Sequence, residues 1–165
     1  MKILFVCTGN ICRSPMAEII FYNLCQRNGR KEVIVQGAGT AATAGELMTR
    51  EARQALELCG EFVGDDARAS TQWADNMFAI YDHIVCMTRR HVLTIDYDKK
   101  HRHVYTLDSV AGCGDIPDPW MYPIETYIEV CKQLQNALEK LYNHIFAEKE
   151  KKNGKINTRK RSRRI

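Results

Sequence analysis

The chain predicts a three-layer α/β/α sandwich built on a four-stranded parallel sheet, and three observations carry that expectation. Short, nearly unbroken apolar runs alternate with segments whose apolar residues recur at helical spacing. The first run, "KILFV" at residues 2–6, has almost nothing to show to water, as a strand covered on both faces requires. The 165 residues, 45% hydrophobic and 27% charged, suffice for one buried core and contain no apolar run of membrane-spanning length.

The elements follow in order. After "KILFV", the stretch from Ser14 places Met16, Ile19, Ile20 and Leu24 on one helical face, with Ser14 and Pro15 suited to its start. "EVIVQG" (32–37) reads as the second strand. Residues 47–60 form a helix whose inner face is Met48, Ala52, Ala55, Leu56 and Cys59, with Gly60 placed to end it. A shorter helix is expected over 71–80, a buried strand over 83–87, a helical turn over 89–95 and a fourth strand over 103–107. A loop rich in Gly, Pro and Asp runs from 108 to 120. The last helix, 123–146, carries the stripe Ile124, Tyr127, Ile128, Cys131, Leu134, Leu138, Leu141 and Ile145. Strands alternating with helices join in parallel through right-handed crossovers, and the crevice at the carboxyl ends of such strands is where function collects.

Charge divides the chain into a domain at 1–148 and a basic tail at 149–165. The tail holds nine Lys/Arg and one Glu, net +8, so the remainder is net −4 and the whole +4. A run of this kind is expected to be unstructured and solvated. As an interaction element it would meet an acidic partner or an anionic membrane surface, and nothing in it requires nucleic acid. Seven cysteines, odd in number and without a CxxC pair, argue against a zinc site or a disulfide framework. With five histidines in no ligand pattern, no metal and no cofactor is expected. "MKILFVC" lacks the basic-then-apolar pattern of a signal segment, which makes a cytoplasmic location the expectation.

Chemistry concentrates where the first strand ends, in "VCTGNICRSPMAE". Between Cys7 and Arg13 the loop of Thr8, Gly9, Asn10, Ile11 and Cys12 leads into a helix start, so successive backbone N–H groups can curl around an anion. Gly9 permits a left-handed turn and Asn10 tolerates one. Arg13 can return over the loop and grip two phosphate oxygens in a fork. The same positive field would favour a Cys7 thiolate. Ser14 could hydrogen-bond that sulfur and ease its departure from a thiophosphate. A Cys and an Arg six apart arise by chance about every other chain of this make-up, so the strand-loop-helix setting carries the argument. A leaving oxygen would need an acid, and "GDIPDPW" presents Asp118 stiffly between two prolines, with Asp115 as the competing carboxyl.

These residues resemble the low-molecular-weight protein tyrosine phosphatase family, over about residues 1–147 and including "HIVCM" and "DPW". The resemblance implies Cys7 as nucleophile of a phosphocysteine intermediate, Arg13 as phosphate clamp and Asp118 as general acid and then base, acting on phosphorylated proteins. It implies loop-shaping and leaving-group roles for Asn10 and Ser14, and a protective disulfide with Cys7 for Cys12, whose other reading is loop packing. Two departures matter: Gly37 stands where the family usually has Ser, and Asp65 where it often has His. Both family residues help to hold the loop Asn, so Asn10 here must be supported differently. "TAATAGE" also lacks the rim aromatic that some members carry. Ile11 and Trp120, with Tyr122 nearby, would form a substrate rim suited to a flat ring, which favours phosphotyrosine. Family members acting on phosphoarginine tend to carry Thr in place of Ile11, and phosphoarginine is the alternative. Arsenate reduction would need a cysteine at 93, where the chain has Leu. A phosphate-binding module without chemistry is the non-enzymatic alternative.

Overall fold

A computed structural model of the chain describes residues 1–65 and 68–161, with side chains described for 1–65 and 68–147. Four strands, β1 (Lys2–Cys7), β2 (Ile34–Gly39), β3 (His83–Cys86) and β4 (Val104–Thr106), form one sheet in the order β2-β1-β3-β4. Every pairing is parallel: Cys7 lies opposite Gly39, Val6 opposite Cys86 and Cys86 opposite Thr106. The α/β fold expected from the alternation is the fold found.

β1 is central, and its side chains alternate between two cores. Ile3, Phe5 and Cys7 point to one face, where they pack with α1 (Arg13–Arg27), α2 (Arg50–Leu58), α5 (Leu107–Ala111) and α6 (Ile124–Arg161). Leu4 and Val6 point to the other, against Val92 and Ile95 of α4 (Arg89–Ile95) and Met77 and Phe78 of α3 (Met77–Ile80). Strand order changes direction at β1 and β3, so their carboxyl ends open the crevice that a doubly wound sheet offers to a ligand.

Four elements depart most from the expectation, each for a local reason. β2 lies two residues further on, because Gly37–Gly39 continue the pairing with Phe5–Cys7. The helix expected over 71–80 shrinks to α3. Upstream of it Asp75 and Asn76 form a turn, Gly39 and Gln72 form a bridge, and the Trp73 N–H donates to the Gly39 carbonyl at 2.8 Å. α5 takes the last residue of the stretch read as the fourth strand and the first four of the stretch read as loop; the Thr106 hydroxyl accepts from the Ser109 N–H at 3.1 Å, and Gly112, at φ +61°, ends the helix. α6 continues beyond the apolar stripe, and its backbone takes in residues 149–161 of the segment read as an unstructured tail. That segment contains no proline, and Lys and Glu are good helix formers. Its side chains and all of 162–165 lie outside the described residues. No helix among the described residues is long and apolar enough to cross a membrane.

Candidate active site

β1 delivers Cys7 to the carboxyl edge of the sheet, 2% exposed, and the loop then turns into α1. The left-handed residue in that turn is Asn10, at φ +54°, and not Gly9. This conformation brings the Asn10 N–H to the Cys7 sulfur, which it reaches at 3.2 Å. The Ser14 hydroxyl lies 3.0 Å from the same sulfur. Ser14 also accepts from Asn10 Nδ2 at 2.7 Å, and its one proton can serve the Cys7 sulfur or the Ala38 carbonyl, which lies 3.4 Å away. The Cys7 sulfur thus has the Asn10 N–H and the Ser14 hydroxyl within hydrogen-bond reach before any substrate arrives.

Asn10 is gripped at both ends, since its Oδ1 accepts from the Thr71 N–H at 2.9 Å. The support differs from the family pattern, as Gly37 and Asp65 imply. A Cβ at Gly37 would lie 2.5 Å from Asn10 Nδ2 and 3.1 Å from Glu18 Oε2, so the space of a serine side chain is already filled. Glu18 is ion-paired with Arg68, and burial nevertheless raises its carboxyl to about 7 against the lowering by Arg68. Neither residue stands out in the sequence: Glu18 reads as a helix surface residue, and Arg68 lies fifty positions further on.

Arg13 is 5% exposed, and its guanidinium ties the loop to the far end of the chain. Nη1 donates to the Ile116 carbonyl at 3.2 Å, and Nη2 lies 3.1 Å from Asp118 Oδ2. The Asp118 side chain is half exposed, and its Oδ1 accepts from the Trp120 N–H at 3.3 Å. Asp115, the competing carboxyl, accepts from the Arg89 N–H at 3.0 Å and does not line the cavity that Asp118 lines. That cavity, about 260 Å³, is lined by Cys7, Thr8, Gly9, Cys12 and Arg13 of the loop as well as Asp118. Ile11, Ala41, Trp120 and the carboxylate-bearing Glu46 complete the wall. Tyr122 is exposed and is not part of the lining. A thiol, a guanidinium and a carboxyl thus face one space with an apolar wall, which suits a phosphoryl group carried on an organic side chain.

Cys12 is buried beside the loop, with Thr49 Oγ1 at 3.5 Å and the Tyr127 hydroxyl at 3.7 Å from its sulfur. Burial raises its thiol pKa, and the bonds from Thr49 and Tyr127 oppose that rise. Cys7 and Cys12 are both free thiols. Cys25, Cys86 and Cys131 are buried, with thiols held protonated by burial. No cluster of His, Cys, Asp or Glu among the described residues could hold a metal ion. One neighbour carries little signal in the sequence: His91, 4% exposed on α4, lies with Nε2 at 2.9 Å from Thr8 Oγ1 and Nδ1 at 2.8 Å from Thr88 Oγ1. Its only sequence signal was a threonine three residues before it, at a helix start.

Comparison with known proteins places these residues in a wider group. The family model described as low molecular weight phosphotyrosine protein phosphatase matches residues 2–153. A protein-arginine-phosphatase of Bacillus subtilis is 32% identical over 151 residues, covering 88% of this chain and 97% of that protein. The low molecular weight protein-tyrosine-phosphatase YfkJ of the same organism is 30% identical over 157 residues, covering 91% and 99%. Among solved structures, the YwlE arginine phosphatase in a mutant form with a phosphorylated active-site serine superimposes with a TM-score of 0.78. It is 30% identical, with 88% of this chain and 95% of that chain covered.

Proposed function

The chain belongs to the low molecular weight phosphotyrosine protein phosphatase family, and from that membership we propose that it hydrolyses phosphotyrosine in proteins through a phosphocysteine intermediate. The reading rests on one observation above all: Cys7, Arg13 and Asp118 line the same cavity, with Ile11 and Trp120 beside them.

In the first step the Cys7 sulfur attacks phosphorus while the bond to the phenolic oxygen breaks, and Asp118 gives that oxygen its proton. Arg13, held by the Ile116 carbonyl, grips two equatorial oxygens as the charge spreads over them. In the second step Asp118, now a carboxylate, takes a proton from water, whose oxygen attacks phosphorus. The S–P bond breaks, inorganic phosphate leaves, and the Ser14 hydroxyl stabilises the departing thiolate. Asn10 holds the turn that keeps these donors in place, and Thr8, Gly9 and Ile11 complete the loop. When peroxide oxidises Cys7 to its sulfenic acid, Cys12 serves as the redox partner: its thiol displaces water to form a disulfide that spares the nucleophile from irreversible oxidation.

A second reading has one observation in its favour. Glu46 brings a carboxylate to the cavity wall, where the guanidinium of phosphoarginine would find a counter-charge. Ile11 and Trp120 suit an aromatic ring better, and phosphotyrosine stays the primary assignment. Arsenate reduction has no support, because Cys86 is a buried strand residue and position 93 is Leu. The basic segment at 149–165 would add an acidic partner or membrane surface to the phosphorylated protein substrate.

The test is hydrolysis of p-nitrophenyl phosphate, then of phosphotyrosine and phosphoarginine peptides side by side. Cys7→Ser should abolish turnover and Asp118→Ala should lower kcat by about 10²–10³-fold. Ile11→Thr should shift preference toward phosphoarginine. Turnover that survives Cys7→Ser would remove the covalent mechanism. Phosphate binding without turnover would leave a binding module.

A further inference from the structure

Thr8 is the one residue of the loop whose hydroxyl is exposed in the cavity and tied to a buried histidine. Thr88 caps α4, its Oγ1 accepting from the His91 N–H at 3.3 Å, and the same hydroxyl lies 2.8 Å from His91 Nδ1. On the other side of the ring, Nε2 lies 2.9 Å from Thr8 Oγ1. Thr8 Oγ1 also accepts from Arg13 Nη2 at 3.4 Å, and that nitrogen is the one beside Asp118 Oδ2. A continuous polar chain therefore runs from the cap of α4 through His91 and Thr8 to the guanidinium and the carboxyl.

We propose that His91 is a positioning residue that orients the Thr8 hydroxyl as an additional side-chain donor to the bound phosphoryl group. With the Thr88 hydroxyl donating to Nδ1, the Nε2–H donates to Thr8 Oγ1. Thr8 Oγ1 then accepts from both His91 and Arg13, both its lone pairs are engaged, and its own proton turns into the cavity. A hydroxyl fixed in this way meets a phosphoryl oxygen without having to reorganise. Burial, helped by Arg13 and Arg90, holds the imidazole well below its usual range, at about 4, while Asp115 and Asp118 pull the other way. His91 therefore carries no charge at neutral pH, and its contribution is direction.

The proposal rests on the catalytic reading for its meaning, and its test does not depend on turnover. Inorganic phosphate is titrated calorimetrically into the full chain and into Thr8→Val, Thr8→Ser, His91→Asn, His91→Gln and the Thr8→Val/His91→Asn double variant, with kcat and KM measured in parallel on p-nitrophenyl phosphate. Thr8→Val and His91→Asn should each weaken phosphate binding and lower kcat/KM about fivefold, the scale of one hydrogen bond. The double variant should lose no more than either single, because the two residues act as one unit. Thr8→Ser and His91→Gln, which keep a hydroxyl and an Nε2-like donor, should stay within about twofold of the wild type. Multiplicative losses in the double variant, or a His91→Gln as weak as His91→Asn, would overturn the proposal. So would wild-type phosphate affinity in a Thr8→Val chain that circular dichroism shows to be folded. A chain that binds phosphate as predicted yet never turns over would overturn the catalytic reading alone.

Discussion

At the scale of single residues, the candidate site is built by a few side chains whose neighbours leave no slack. Gly39 faces Cys7 across the sheet, and a Cβ there would lie 2.4 Å from the Thr8 carbonyl oxygen and 3.0 Å from the Asn10 nitrogen. Because those are backbone atoms of the loop, Gly39→Ala must push the loop itself. It should cost about 2 kcal/mol and lower the melting temperature by about 4–8 °C, with kcat reduced as well. Thermal unfolding with an activity assay checks both, and an unmoved melting temperature would mean the loop gives way freely. Cys12→Ser should leave hydrolysis near normal but make peroxide inactivation irreversible, whereas thiol treatment should restore the wild type. Equal recovery in the two proteins would count against Cys12 as redox partner. Cys7, Arg13 and Asp118 were legible in the sequence because strand end, glycine, basic residue and rigid Asp-Pro turn are local signals. The residues that steady them were not. The Thr71 N–H holds Asn10 across 61 residues, Arg68 pairs with Glu18 across fifty, and His91 reaches Thr8 across 83, distances that no periodicity encodes.

At the scale of elements, the legible ones were those with a sustained period. α1 and α6 announce themselves by long apolar stripes, and the central strand by a run buried on both faces. Short elements were decided by contacts instead. Thr71 and Gln72 serve Asn10 and Gly39 rather than a helix, which cut α3 to four residues. α5 was hidden because its five residues are too few to show a period, although the capping threonine and the terminal glycine both stood in the sequence. Thr106→Ala should therefore cost about 1 kcal/mol of stability and leave p-nitrophenyl phosphate turnover unchanged. Leu138, fully buried on α6 in the larger of the two cores, is the contrasting case. Leu138→Ala opens a cavity beneath the same face and should cost about 2–5 kcal/mol in denaturant unfolding. A loss at Leu138 as small as that at Thr106 would show that α6 is not the main support of that core.

At the scale of the whole molecule, two buried ionisable groups next to the loop set opposing slopes of stability against pH. Burial raises the Glu18 carboxyl from an ordinary 4.5 to about 7 despite Arg68. Between those values the folded state holds a proton that the unfolded state has released, so stability falls as pH rises through this window. His91 is lowered from 6.5 to about 4, chiefly by burial, among Arg13, Arg90, Asp115 and Asp118. Between about 4 and 6.5 the unfolded state holds the extra proton, and stability rises with pH. The two slopes oppose each other in the acid range, where the wild type should show a shallow dependence, and only the Glu18 slope persists from about 6.5 to 7. Glu18→Gln keeps the shape, removes the titration and leaves Arg68 partly exposed to water. Its melting temperature relative to the wild type should therefore climb steadily from pH 5 to pH 7.5. His91→Asn should behave in the opposite sense, gaining on the wild type as pH is lowered from 6.5 to 4. Melting curves of the three proteins across pH 4 to 8 decide the matter. A Glu18→Gln difference that stays level through pH 5 to 7.5 would mean that the Arg68 pair keeps this carboxylate ionised throughout.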